Sequence, residues 1–354
     1  MITDLIEKIQ HAAARRESLT ICGSGSKAFY GGEPQGTTLD VAIHRGIVDY
    51  APSELVLTAR AGTPLVEIEQ LLREHNQMLA FEPPHFGPHA TLGGCVASGL
   101  SGPRRPYSGA VRDFVLGVGM LDGRGQQLKF GGQVMKNVAG YDVSRLMTGS
   151  LGTLGVLLDV SLKVLPLPAA ALSLRFACDQ QAAIQRMNAW AGLALPLSAT
   201  CWQDGQLTIR LEGTQRAIQT ARSKLGGELV ADDTAFWRDI REQRAAFFLS
   251  SLPLWRLSVP STADALMLPA SKLEGTQLIE WGGALRWLHS DSAPDTIRDA
   301  AAAAGGQATL FRGGDKRCGV FHPLPPALLA IQRRIKNNFD PHGIFNPCRL
   351  FQEF

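Results

Sequence analysis

The chain has 354 residues, too many for one ordinary domain, and two or three are expected. Its composition, 45% hydrophobic and 19% charged with a mean hydropathy of +0.00, is that of a soluble globular protein with ample core material. A net charge of +3 excludes the field of a nucleic-acid binder, and no run approaches the roughly 20 apolar residues that span a bilayer.

The N-terminus, MITDLIEKIQHAAARRE, places Leu5, Ile6, Ile9 and Ala13 at helical spacing behind two candidate N-caps, Thr3 and Asp4. It predicts an amphipathic first helix and lacks the features of a secretory signal. The short apolar runs SLTIC, TLDVAIH, ELVLTAR, FVLGVGML and LGVLLDVSLKVL predict strands, and VEIEQLLREHNQ between the third and fourth predicts a helix. This glycine-dense region closes at KVLPLP.

Beyond it, ALSLRFA, QQAAIQRMNAWAG, LSATCWQ, QLTIRLEG, TQRAIQTARSKLGG and ELVA read as β-α-β-β-α-β, a ferredoxin-like unit with a hairpin at Asp204-Gly205. The order recurs in LWRLSVP, the short helix TADALMLPA, a hairpin TQLIEWGGALRWLHS turning at Gly282-Gly283, DTIRDAAAAAGG and QATLFRG. A helix, DTAFWRDIREQRAAF, joins the halves. The last stretch, PALLAIQRRIKNNFDPHGIFNPCRLF, is a helix and then an irregular tail. The six cysteines (Cys22, Cys95, Cys178, Cys201, Cys318 and Cys348) stand singly, which argues for a reducing compartment and against a metal or iron–sulfur site built from them. The cytoplasm is the default address.

Chemistry concentrates in the glycine loops. Gly23, Gly25 and Ala28 in LTICGSGSKAFYGG spell G-x-G-x-x-A after a strand, the letters of a dinucleotide-binding turn, with Asp40 near the ribose-binding distance. That motif needs a helix starting inside it. The following KAFYGGEPQGTT holds three glycines and a proline, residues that cost a helix interior about 1 and 3 kcal/mol each. No crossover helix is expected, and a nicotinamide dehydrogenase is rejected on that ground. Consecutive small residues can still curl their backbone N–H groups around an anion, with Lys27 adding charge. A plain turn is the competing reading. Residues 83–118, PPHFGPHATLGGCVASGLSGPRRPYSGAVRDFVLGV, read as a long functional loop on which an elongated ligand could lie close to the main chain.

The triad ICGSGSK, ATLGGCVASGLSGPRRPYSGAVRDFVLG and KNVAGYDVSRLMTGSLGTLGVL resembles the vanillyl-alcohol-oxidase (PCMH-type) FAD-binding domain. The tail FDPHGIFNPCRL is similar to the ending of FAD-linked oxidases. Within that superfamily, SKAFYG, EPPH, GLSGPRRPYSG and WGGALRWL most resemble the small flavin subunits, of E-subunit type, of bacterial glycolate oxidases. The resemblance implies an α+β fold: a PCMH-type FAD-binding domain over 1–168, a cap of two ferredoxin-like halves over 169–312, and a segment, 313–354, returning to the first domain. It implies that Gly23, Ser24, Gly25, Ser26 and Lys27 cradle the pyrophosphate of FAD. Pro84, Thr91, Leu92, Gly93, Gly94 and Ala97 would run beside the phosphates and ribityl chain. Tyr107, Ser108, Arg112 and Asp113 would complete that wall. Gly152, Gly155 and Val156 would meet the adenine side, and Asn346 would lie close to the flavin. No histidine occupies the first loop, where tethered members carry one, so non-covalent FAD is implied.

Implied too are a small 2-hydroxy acid substrate such as glycolate and a quinone-type acceptor. The partners would be a larger FAD-containing subunit and an iron–sulfur subunit, seating the chain peripherally at the cytoplasmic face of the inner membrane. Self-sufficient 2-hydroxy acid oxidisers of this kind carry H-x-G-D-G-N-x-H beside the substrate. Here LFRGGDKRCGVFHP keeps Gly313, Gly314 and Asp315 without the flanking histidines, and His322 is a poor substitute. No metal is expected, since metal-assisted deprotonation needs two or more ligands. The catalytic candidates are His85, as a base in the second loop, and Arg286, as a carboxylate anchor. Loop hydrogen bonding and a strand-face salt bridge are their respective alternatives, and His89 is weighed as His85 is. Two readings stay open: an oxidising subunit, or an FAD-holding subunit that assembles the complex or relays electrons within it.

Overall fold

The structure, a computed structural model, describes residues 1–132, 141–266 and 277–354. The predicted segment Lys136–Gly140 and residues 267–270 of the short helix expected at 262–270 lie outside the described residues. The chain divides into two compact units. The first comprises Met1–Leu100, Ala110–Pro166 and Pro323–Phe354, and the second comprises Ser101–Gly109 and Leu167–His322. Two segments depart from the expected division: 101–109 and 313–322 both belong to the second unit.

The first unit opens with the helix Ile2–Arg15, whose Leu5, Ile9 and Ala12 form the buried stripe. Met1, rather than Thr3 or Asp4, is its N-cap, and it stops at Arg16 in the left-handed region (φ 53°). Strands β1 (Leu19–Cys22) and β2 (Thr37–Asp40) pair in parallel. Parallel neighbours usually need a crossover helix, but here the connection is the glycine-rich turn segment 23–36. The tail reaches back to this layer: Leu19 bridges Phe345, and Ile344 and Phe345 join a core with Leu5, Ile9, Leu39 and Val156.

A five-stranded antiparallel sheet forms the other layer. Its strands are β3 (Ile47–Ala51), β4 (Val56–Arg60), β6 (Val115–Leu121), β7 (Gln127–Gly131) and β8 (Val156–Lys163), in the order β3-β4-β8-β6-β7. A short pair, β5 (Gln77–Met78) and β9 (Leu165–Pro166), completes the unit's strands. The helix Leu65–Glu74 buries Leu65, Ile68 and Leu72 in the main core, as its spacing predicts. β3 and β7 were not predicted, because both are short and largely exposed. The stretch expected as one long loop contains three short helices, Leu92–Ser98, Arg105–Ser108 and Val111–Phe114. The first forms despite two glycines because Thr91 caps it, accepting from the Gly94 amide at 3.2 Å, and Leu92, Gly93, Cys95 and Val96 are buried.

The second unit is one eight-stranded antiparallel sheet. Its strands are β10 (Ala170–Ala177), β11 (Leu197–Gln203), β12 (Gln206–Gly213), β13 (Glu228–Leu229), β14 (Leu254–Ser258), β15 (Gln277–Glu280), β16 (Leu285–His289) and β17 (Gln307–Arg312). The order β13-β10-β12-β11-β15-β16-β14-β17 sets two ferredoxin-like arrangements edge to edge through β11 and β15. Helices Gln180–Ala191 and Gln215–Leu225 belong to the first half and Pro294–Ala303 to the second. The expected duplication is present in the strand order. Residues 262–266 of the expected short helix are turn and irregular chain, and no helix among the described residues is long and apolar enough to cross a membrane.

Candidate functional site

The turn segment after β1 lines a cleft in the first unit enclosing about 630 Å³, mouth included. Gly23, Ser24, Gly25, Ser26 and Lys27 form one side; Thr91, Gly94 and Ala97 form another; Leu151, Asn346 and Arg349 close it. A second cavity shares Gly23, Gly94, Ala97, Leu151 and Asn346 and adds Gly93, Gly152 and Gly155. The three glycine segments thus converge from positions spread over more than a hundred residues.

Among the described residues, the amides of Gly23 and Ser24 have no hydrogen-bond partner, while that of Gly25 donates to the Cys22 sulfur. Unpaired N–H groups on a cleft wall are a standing demand for an acceptor, and successive ones suit a phosphate. Lys27 is buried, donates to the His85 carbonyl at 3.2 Å and lies 5.8 Å from the Phe86 ring centroid. Its ammonium is thereby held against the His85 carbonyl, while the residue lines the cleft. The wall is close-packed: a Cβ on Gly23 would lie 2.5 Å from Thr91 Oγ1, and one on Gly152 (φ 72°) 2.6 Å from Asn346 Nδ2. Cys22 also lines the cleft, its thiol pKa raised by burial first and by Asp40 second.

Both polar atoms of the Asn346 side chain are bonded to protein. Its Oδ1 accepts from the Ile21 amide at 2.8 Å, and its Nδ2 donates to the Leu151 carbonyl at 2.6 Å. It pins the tail between β1 and the third glycine segment. Behind it, Lys336 and Asp340 form a buried ion pair at 2.7 Å. The ammonium also donates to the carbonyls of Thr153 and Phe345, and the carboxylate accepts from the amides of Ile344 and Phe345. Burial lowers the Lys336 pKa against the opposing pull of Asp340.

Other expected site residues lie elsewhere. Leu92 and Val156 are fully buried in hydrophobic clusters, and Pro84 is buried without lining either cavity. Arg112 and Asp113 line a separate groove with Asp142, Arg145 and Phe351. Tyr107 and Ser108 fall in the second unit, where Ser108 Oγ donates to the Arg104 carbonyl. Tyr107 bonds Thr200, and burial pushes its phenol up to about 12. The raised value favours the neutral folded form, so Tyr107 lends stability that is complete below about 10 and lost as pH rises towards 12. Ultraviolet titration of a Tyr107→Phe variant is expected to lose one tyrosine from the late alkaline step, with an unchanged early step.

Neither catalytic candidate offers a free group. His85 is buried with its Nε2 3.0 Å from Glu69 Oε1, on the helix Leu65–Glu74, and does not line the cleft; His89 is exposed. Arg286 is 1% exposed, and its Nε, Nη1 and Nη2 donate to the carbonyls of Gly283, Asp264 and Ala263. These bonds hold the Ala263–Asp264 chain against the β15–β16 hairpin. Asp315 pairs with Arg317 at 2.8 Å on the surface, and His322 Nδ1 accepts from the Ala308 amide. No group of three metal-ligating side chains occurs among the described residues.

Sequence reasoning missed Arg349, which lines the cleft at 7% exposure, as well as Lys336 and Asp340. All three stand in or just before the recognised tail motif; the i,i+4 spacing of Lys336 and Asp340 could have announced their pair, whereas no spacing announces the backbone partners of Arg349.

Comparison with known proteins fits this geometry. The family model described as FAD binding domain matches residues 2–131. Glycolate oxidase subunit GlcE of Escherichia coli (strain K12) is 52% identical over 349 residues, 99% of this chain and 97% of that protein. Glycolate oxidase subunit GlcD of Bacillus subtilis (strain 168) is 32% identical over 113 residues, 32% of this chain and 24% of that one. Among solved structures, p-cresol methylhydroxylase with substrate bound superposes with a TM-score of 0.72 at 13% identity, covering 100% of this chain and 88% of the other.

Proposed function

The chain belongs to the family of glycolate oxidase subunit GlcE, and from that premise we propose that it is the FAD-binding subunit of a complex oxidising glycolate to glyoxylate. The observation that carries the reading is the cleft in which two unpaired amides, a fixed lysine and a wall of glycines meet. FAD is the cofactor, and bound there it supplies the two-electron redox chemistry that no protein side chain offers. The chain's own residues bind and orient it. The amides of Gly23 and Ser24 with Lys27 would take the pyrophosphate. Gly93, Gly94, Ala97, Gly152 and Gly155 would let the main chain approach its length, and Asn346 fixes the floor by holding two backbone segments in register. The larger flavin subunit, the iron–sulfur subunit, the quinone-type acceptor and a seat at the inner membrane belong to the same proposal.

A second reading is favoured by the region around Asp315. The glycines of the metal motif persist without its histidines, and Asp315 is paired with Arg317 on the surface. With His85 and Arg286 both committed to protein partners, the chain would hold FAD and depend on a partner subunit for substrate oxidation.

The purified chain is expected to be yellow and to release free FAD on denaturation, as non-covalent binding requires. Anaerobic addition of glycolate or D-lactate then separates the readings. Bleaching of the lone chain supports autonomous oxidation, and bleaching only after the partner subunits are added supports the second. A colourless chain whose added FAD shows no spectral change overturns both.

A further inference from the structure

The cleft's amides are useful to a phosphate only if the loop carrying them is held still. Glycine-rich chain is the least able to hold itself, because it loses the most conformational freedom on ordering. No helix follows Gly25 to anchor it. The restraint comes from the far end of the sequence. Arg349 Nη1 donates to the carbonyls of Ala28 (3.1 Å) and Gly32, and its Nη2 donates to that of Tyr30 (2.6 Å). The Gly32 amide returns a bond to the Arg349 carbonyl at 2.9 Å. A Cβ on Gly32 would run into the Cys348 carbonyl, so the tail is seated directly on the loop. Three residues earlier, Asn346 holds the Ile21 amide on the loop's other side.

We propose that Arg349 is the positioning residue of the 23–32 loop: its guanidinium fork gathers three carbonyls, and the tail thereby sets the affinity of the chain for FAD. The inference rests on the FAD reading of the cleft and extends it to a residue that holds the phosphate loop from behind. The planar fork is what makes it possible, since one guanidinium presents separate donors in fixed directions while an ammonium concentrates its charge at a point. Preorganising a binding loop raises affinity by removing the ordering cost from the binding step. Loss of the clamp returns that cost. The size expected is the 10- to 100-fold range, roughly, over which outer-shell partners tune a metal site.

The test uses the full chain stripped of flavin, with Arg349→Ala, Arg349→Lys and, as a control arginine in the same unit, Arg124→Ala, whose guanidinium bonds Asp122 and the Asn338 carbonyl. FAD affinity is read from quenching of flavin fluorescence, and loop order from amide hydrogen exchange over residues 23–32 without FAD. Arg349→Ala is expected to weaken FAD roughly 10- to 100-fold and to speed exchange in that loop. Arg349→Lys is expected to fall between it and wild type, Arg124→Ala to match wild type, and millimolar methylguanidine to restore part of the lost affinity. Wild-type affinity in Arg349→Ala, unchanged exchange, or full recovery by lysine overturns the inference. The exchange readout separates failures: a wild-type chain that ignores FAD overturns the cofactor reading, whereas the loop's protection tests the clamp in either case.

Discussion

Replacing Gly23 by valine is expected to give a folded protein that no longer retains FAD. The position tolerates no side chain, because a Cβ there would stand 2.5 Å from Thr91 Oγ1 and 3.3 Å from its Cγ2. Thr91 cannot swing aside freely, since its hydroxyl caps the helix Leu92–Ser98 by accepting from the Gly94 amide. The two branches of valine would therefore displace the cap or enter the space bounded by Gly94 and Ala97, where the proposed FAD site lies. A lost threonine cap costs about 1 kcal/mol, well within the 5–15 kcal/mol that typically holds a domain together. The fold survives and the cleft does not. FAD affinity should fall by about 100-fold or more, equivalent to about 2.8 kcal/mol. Gly192→Ala, at a helix end where a Cβ meets only the Ala189 carbonyl at 3.5 Å, is the control. Flavin absorbance per protein, measured beside a melting curve, decides the matter: wild-type yellow colour in Gly23→Val would refute the placement of the phosphate loop.

The same contact shows where the sequence was legible and where it was not. That 23–36 could not become a helix follows from its glycines and Pro34, and the turns observed there bear it out. The duplicated strand order was readable because each half is written in local alternation of short apolar strands, with a glycine-ended helix before the last. The helix Leu92–Ser98 was not, because LGGCVAS has poor intrinsic helicity. It forms because Gly93 packs against Ala61, where a Cβ would come within 2.9 Å of the alanine side chain. Arg104 was invisible in another way: the segment 101–109 joins the second unit, and its guanidinium pairs with Glu212, 108 residues away. Of the site, the glycines announced themselves by composition. His85 and Arg286 were chosen by residue type, and what decided them was the partners Glu69, Ala263 and Asp264, which only the fold supplies. Arg349 reaches carbonyls 317 to 321 residues earlier, a separation at which sequence pattern carries no information.

The largest stability loss is expected from Lys336→Met. Methionine nearly matches lysine in length and helix propensity, so the helix Pro326–Phe339 itself should be indifferent to the change. The damage falls on Asp340, which has 0% exposure and would be left with only the Ile344 and Phe345 amides as donors. The carbonyls of Thr153 and Phe345 would lose their shared donor as well. Removing one member of a buried pair costs about 3–5 kcal/mol, because the other is left charged in a medium that solvates it poorly. For a unit of this size that is a fall in Tm of about 6–20 °C. Asp340→Asn should be costly too, and the double variant should recover part of the sum, since the two side chains in contact are not independent. The tail that carries Asn346 and Arg349 leaves from the Asp340 turn, so FAD affinity should weaken in step with stability. Denaturant unfolding of the four forms of this cycle measures the coupling. A Lys336→Met protein within about 1 kcal/mol of wild type, or strictly additive single losses, would mean that the pair is dispensable and that the tail is held by Asn346 and Arg349 alone.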